Sequence, residues 1–152
     1  MLTRRAFIQS ATLSVAALSM FTLTGCGEPK RPCDVAVAFV EALYKGDAAE
    51  ALKYVDLEGA EEPALKLAEE KISAAAADAK ERADKQGGLK DVTAIAKPGE
   101  AELSKGVLRI QVKAAFGNDT SKIEGVKLAK KGETWKVQLA SNAKTSRRIS
   151  RL

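Results

Sequence analysis

The sequence has no histidine and few aromatic residues, and both shortages limit the chemistry open to it. Its 152 residues include one Trp, two Tyr and four Phe. Without histidine, a Ser-His-Asp triad and His-containing zinc sites are excluded. The sequence also contains no Walker phosphate-binding loop, no dinucleotide-binding glycine fingerprint and no GxSxG elbow. We therefore expect no catalytic residue, no metal site and no cofactor, and a core built mainly from Val, Leu, Ile and Ala.

The first 25 residues follow the order of a secretory signal peptide. Arg4 and Arg5 supply the positive charge, a mostly apolar run follows over residues 6–21, and small residues come before Cys26. Polar residues interrupt the apolar run, so it falls short of the roughly 20 apolar residues that a stable transmembrane helix needs. The sequence therefore predicts an export segment over residues 1–25.

Residues 23–26 read Leu-Thr-Gly-Cys and resemble the lipobox of bacterial lipoproteins. The resemblance implies that the Cys26 thiol receives diacylglycerol and that the chain is cut after Gly25. Acyl chains contribute about 0.8 kcal/mol per buried methylene, so several of them make a stable membrane anchor. The alternative is a buried or disulfide-bonded Cys26. The expected location is the cell envelope, facing the periplasm or the exterior. Gly27 replaces the Asp that signals inner-membrane retention in enterobacteria, which favours an outer membrane where one exists.

The start of the export segment also resembles a twin-arginine signal. Arg4 and Arg5 are followed one residue later by the large apolar Phe7 and Ile8, but Gln9 stands where that pattern favours Lys. Twin-arginine export and general secretion both stay open.

Cys33 is the one thiol left once Cys26 carries lipid. In an oxidising compartment such a cysteine is either a small buried hydrophobe or a partner in an intermolecular disulfide. Its position at the start of a predicted helix would lower its pKa if it were exposed, and burial is the alternative.

Positive charge is concentrated at the C-terminus. Removing residues 1–25 takes away Arg4 and Arg5 but no acid, which lowers the formal net charge from +5 to +3. The predicted basic tail, residues 141–152, carries Lys144, Arg147, Arg148 and Arg151 with no acid. It is either a solvated terminus or a segment that binds anionic envelope surfaces. Nucleic acid is not an expected partner in this compartment.

Helical signals dominate the first half of the mature chain. A tether with two prolines, residues 26–32, precedes a helix predicted over residues 34–45, which ends at Gly46. Asp47 and Glu50 have the spacing of a capping box for a short second helix. A third, long helix begins around Pro63 and stops at Gly87. Its predicted apolar stripe consists of Leu65, Ala68, Ile72, Ala75, Ala79 and Ala83.

After residue 88 the hydrophobic period changes from helical to alternating, which indicates strands. We predict strands at residues 89–97, 100–104, 106–117, 122–131 and 134–140. The clearest alternation runs through Leu108, Ile110, Val112, Ala114 and Phe116. Helices followed by sequential strands predict an α+β domain over residues 33–140, in which a curved antiparallel sheet of four to five strands wraps the long helix.

This order of elements resembles small bacterial lipoproteins of unknown function with a nuclear-transport-factor-2-like, cystatin-like cone fold. The resemblance rests on the segment of residues 35–55, with its helix and Gly46-Asp47 turn, and on the Trp hairpin at residues 132–137. The resemblance implies no catalytic motif. The fold serves both binding modules and enzymes, so the fold alone does not choose between them.

Three functional hypotheses remain. The first is a non-catalytic envelope domain that binds a small apolar ligand or a protein partner. Its pocket would be lined by Phe39, Tyr44, Phe116 and Trp135, for which simple core packing is the alternative.

The second hypothesis is an enzyme that uses Asp56 or Asp91 as a base and Tyr44 or Tyr54 as a hydrogen-bond donor, which requires these groups to converge. The third is an interaction protein that binds anionic surfaces through the basic tail.

Overall fold

The computed structural model describes residues 31–139. Four helices and four strands follow one another along this part of the chain. They are α1 (Pro32–Lys45), α2 (Ala48–Lys53), α3 (Glu62–Lys85), β1 (Leu89–Ala94), α4 (Glu100–Leu103), β2 (Val107–Phe116), β3 (Ser121–Lys131) and β4 (Thr134–Val137). The predicted α+β class is therefore confirmed.

The ends of α1 and α2 follow from their terminal residues. Pro32 begins α1 because its fixed φ suits a first turn and its missing amide hydrogen is not needed there. Gly46 ends α1 with φ 76°, the left-handed conformation that costs a glycine least. Asp47 then caps α2 by accepting a hydrogen bond from the Glu50 amide at 2.9 Å, as the capping-box spacing predicts.

The four strands form one antiparallel sheet in the order β1-β2-β3-β4. Strand β2 alternates strictly, burying Leu108, Ile110, Val112, Ala114 and Phe116, as predicted. The register pairs Ile110 with Val126 on β3, and Leu128 of β3 with Val137 on β4. One face of the sheet is therefore apolar and faces the helices, and we call it the inner face.

Helix α1 fills the inner face of the sheet. Val35, Ala36 and Val40 are at most 2% exposed and belong to one core cluster with the inner residues of β2, β3 and β4. The long helix α3 packs mainly against α1 and α2, not against the strands. The expectation that the sheet wraps the long helix is corrected accordingly, because the more apolar α1 occupies that position.

Two local predictions also differ from the structure. Residues 100–104 form no strand, because Glu100–Leu103 is the short helix α4, and the Glu102 carboxylate accepts a hydrogen bond from the Gly99 amide at 3.1 Å. The buried stripe of α3 includes Ala76, whereas the predicted Ala75 is exposed. The other four predicted strands are present: β1, β2 and β4 are shorter than predicted, and β3 begins one residue earlier, at Ser121.

The last strand closes the domain by contacting the segment after α2. Val55 forms a parallel bridge with Val137. The Val137 amide donates to the Tyr54 carbonyl at 2.7 Å, and the Asp56 amide donates to the Val137 carbonyl at 2.9 Å. The segment that leads into α3 is thereby attached to the edge of the sheet.

Candidate functional site

The predicted lipidation and export residues lie outside the described part of the chain. These are Cys26, Gly25, Arg4, Arg5 and Phe7, and the basic tail of residues 141–152 lies outside it as well. Within residues 31–139, no helix has the length and apolar character needed to cross a bilayer.

The four aromatic residues predicted to line a pocket are all buried. Phe39, Tyr44, Phe116 and Trp135 are between 1% and 7% exposed, and all four belong to the core cluster. The rings of Tyr44 and Phe116 meet edge to face with centroids 5.3 Å apart. Phe116 and Trp135 line neither of the two depressions described next, so core packing accounts for their positions.

A narrow cleft of about 240 Å³ lies between α1, α3 and β3, and we call it the Tyr44 cleft. Phe39 and Tyr44 line it. The Tyr44 hydroxyl donates to Glu124 at 2.8 Å, and Glu124 also pairs with Lys122 at 2.8 Å. Burial and the Glu124 carboxylate raise the pKa of Tyr44, so this tyrosine keeps its proton at neutral pH.

A larger depression of about 630 Å³ lies between the first half of α3 and the end of the sheet. We call it the α3 groove. It forms because α3 begins beyond the edge of the sheet, so its first turns are only partly covered. Its lining is Asp56, Leu57, Ala60, Ala64, Leu67, Ala68, Lys71, Lys127, Gln138 and Leu139.

The α3 groove combines apolar walls with separated charges. Leu67 is 50% exposed, which is high for a large apolar side chain. Lys71 contributes positive charge, whereas the Asp56 carboxylate is paired with Lys131 at 3.2 Å. The groove is therefore suited to a ligand with an apolar body and an anionic group.

The acids and tyrosines of the enzyme hypothesis are distributed over different elements. Asp56 lies in the α3 groove, whereas Tyr44 lies in the Tyr44 cleft. Tyr54 ends α2, and Asp91 is exposed on β1. Neither depression contains more than one of the four, so the structure does not bring them together.

Cys33 is half-buried near the start of α1. Its sulfur lies 3.8 Å from the Ala96 carbonyl oxygen, with the hydrogen-bond geometry of a thiol donor. Burial, followed by the neighbouring Asp34 carboxylate, raises the pKa of the thiol. This environment favours the burial alternative over a lowered pKa. Over residues 31–139, no group of three or more Cys, Asp or Glu has the arrangement of a metal site.

Sequence reasoning named Asp56 and Ala68 but did not predict that they line a groove, and it missed the other residues of the α3 groove. Leu67 is the one residue whose position in the sequence could have indicated the groove. It lies off the apolar stripe of α3, whose other exposed positions are mostly polar or Ala. The other walls come from a loop and from the end of β4, and their proximity depends on the tertiary structure.

Comparison with known proteins agrees with this fold. The family described as "Domain of unknown function (DUF4878)" matches residues 24–138. A similar solved structure is that of a protein from Campylobacter jejuni described as an NTF2-like transpeptidase. It is 31% identical, the match covers 70% of this chain and 96% of that chain, and the TM-score is 0.63. No curated protein matches the chain.

Proposed function

We propose that this chain, which belongs to the family Domain of unknown function (DUF4878) and has an NTF2-like fold, is a lipid-anchored envelope protein whose domain binds a ligand without catalysis. The α3 groove is the observation that carries the binding role. The Leu-Thr-Gly-Cys segment at residues 23–26 is the observation that supports an anchor at Cys26.

The chemistry of the groove favours an amphipathic ligand. Leu57, Leu67 and Leu139 offer apolar contact, and Lys71 offers a cation with no ion pair among the described residues. A long-chain fatty acid, or a protein segment with an apolar side chain next to an acid, matches this pattern. Burying such an apolar body contributes about 25 cal/mol per Å².

Intact mass of the protein from membrane fractions tests the anchor. The wild-type mass should equal residues 26–152 plus acyl chains, and Cys26→Ala should abolish the modification. Cys33→Ala is the matched control and should keep it. A full-length, unmodified wild-type chain would refute the anchor.

Titration with a fluorescent long-chain fatty acid tests the binding site. Leu67→Glu removes an apolar contact and places a carboxylate in the groove, so we expect affinity to fall about tenfold or more. Ile95→Glu is the control, because Ile95 is 48% exposed and lies outside the groove. Equal affinity for wild type and Leu67→Glu would exclude the groove as the site.

An enzyme is the second candidate, because the Campylobacter jejuni protein is described as a transpeptidase. Transfer of an acyl group needs an activated nucleophile. The half-buried Cys33 thiol with its raised pKa is a poor one, and neither the α3 groove nor the Tyr44 cleft holds an Asp candidate together with a Tyr candidate. The described residues thus give this candidate less support than ligand binding.

A further inference from the structure

The face of the sheet that points away from the helices combines positive charge with exposed apolar side chains. We call it the outer face. The register places alternate residues of β1, β2 and β3 on it, since Lys113 pairs with Ile123, Arg109 with Lys127 and Thr93 with Lys113. Its principal side chains are Ile95, Val107, Arg109, Lys113, Ile123 and Lys127.

The apolar members of the outer face are unusually exposed. Ile95, Val107 and Ile123 are 48%, 46% and 59% exposed, and they are three of the four large apolar side chains with such exposure among residues 31–139. Helices α1, α2 and α3 contribute to the core on the inner face, whereas α4 lies beside the start of β2, where Glu102 lines a depression with Val107 and Arg109. Ile95 and Val107 lie towards the start of β2, whereas Ile123 lies opposite Lys113 near its other end, so these side chains flank the basic residues of the same face.

The charge on the outer face is mainly positive. Arg109 and Lys113 are exposed on β2, and no ion pair involves either of them in the described part of the chain. The Arg109 guanidinium lies flat on the sheet, within 3 Å of the position that a Cβ on Gly125 would take. Lys127 and Lys136 add to the charge, and Asp91 on β1 opposes it. An occupant of this face should therefore be anionic.

The position of the proposed anchor favours a membrane as that occupant. Only residues 27–31 separate Cys26 from α1, and five residues span about 18 Å at most. The Cys33 sulfur lies 3.8 Å from the Ala96 carbonyl, so α1 begins beside the end of β1. Ile95 lies at that same end of the sheet, and Val107 begins β2 there. A short tether would thus hold this end of the outer face at the lipid surface.

We propose that the outer face docks on anionic phospholipid, with Arg109, Lys113 and Lys127 contacting phosphate groups and the apolar side chains entering the head-group region. This inference rests on the proposed anchor for its orientation. The basic tail and a second copy of the same face carry the same sign of charge, so neither is complementary to it.

Amine acetylation of the lipidated protein in vesicles tests the docking. We expect Lys113 to react several-fold more slowly on vesicles containing phosphatidylglycerol than on vesicles of phosphatidylcholine alone, and high salt should restore its reactivity. Lys80 and Lys85 on α3 are the internal controls and should react equally on both. Equal reactivity of Lys113 on the two kinds of vesicle would overturn the proposal. Protection that instead rises with protein density on phosphatidylcholine would assign the face to a second copy, and would overturn it as well.

Neutralising variants complete the test. Each basic residue near an anionic surface contributes about a fivefold preference, so Arg109→Gln with Lys113→Gln should weaken docking about 25-fold and expose Lys127. Lys80→Gln with Lys85→Gln removes the same charge from α3 and should leave Lys127 protected. Flotation with phosphatidylcholine vesicles reports the anchor separately. A chain that does not float with phosphatidylcholine vesicles lacks the anchor. Protection of Lys113 on phosphatidylglycerol vesicles would still report docking of the outer face in such a chain.

Discussion

Replacing Tyr44 with Phe should change the pH dependence of stability as well as its value. Tyr44 is 4% exposed, and its hydroxyl donates to Glu124 at 2.8 Å. A hydrogen bond to a charged acceptor contributes about 1.5 to 3 kcal/mol. Glu124 is partly exposed and keeps Lys122 as a partner, so we place the loss in Tyr44→Phe at about 1 kcal/mol near pH 7.

The prediction is most specific at alkaline pH, where the difference in stability between wild type and Tyr44→Phe should disappear. Burial and Glu124 raise the pKa of Tyr44 in the folded protein, whereas in the unfolded chain it ionises near its ordinary value of about 10. The folded state therefore binds this proton more tightly, and the stability that it contributes is present below pH 10 and lost above it. The loss, measured from neutral pH, reaches about 1.4 kcal/mol by pH 11. Phe has no proton to lose, so the advantage of the wild type should vanish near pH 11.

Urea unfolding measures this difference directly. Trp135 is the one Trp in the chain and is 6% exposed, so its fluorescence follows the loss of the core. Every other titrating group is common to both proteins and cancels when the two unfolding free energies are subtracted. An advantage of the wild type that is equal at pH 7 and pH 11 would refute the claim that Tyr44 stays protonated in the fold.

Three further substitutions test the packing and the capping described above. Phe116→Ala should cost about 3 to 5 kcal/mol, because Phe116 is 1% exposed, and a urea midpoint within error of the wild type would contradict this. Gly117→Ala should lower the melting temperature far more than Gly99→Ala. A Cβ at residue 117 would lie 2.3 Å from the Gly87 carbonyl oxygen, whereas nothing lies within 4 Å of a Cβ at residue 99. Asp47→Ala should cost about 1 kcal/mol by circular dichroism and Asp47→Asn much less, since Asn also caps helices; equal losses would exclude the capping role.

Sequence periodicity predicted the elements whose burial is one-sided. The alternation from Leu108 to Phe116 fixed β2 and its inner face, because a strand with one buried face cannot shift by one residue without exposing its apolar side chains. The capping pair Asp47 and Glu50 located α2 for a similarly local reason. Such signals depend on neighbouring residues alone.

The sequence did not predict which elements distant along the chain contact one another. Residues Glu100–Leu103 are too few to show a helical period, so the sequence predicts a strand where the structure has α4. The Ala stripe of α3 suits a helix or a sheet as its partner, and the competition with α1 decides the outcome. The α3 groove exists because α3 starts beyond the edge of the sheet, and no single residue encodes that offset.

The bridge between Val55 and Val137 makes the timing of folding depend on β4, the last strand of the described domain. Joining such distant positions closes a long loop, which is entropically costly and therefore slow. Residue 137 also leaves the ribosome after residue 55, so β4 emerges later than α1 and α2. A chain that stops at Glu133 would leave the Tyr54 carbonyl and the Asp56 amide without their strand partner. We therefore expect nascent chains to stay open, and accessible to chaperones, until the last strand has emerged.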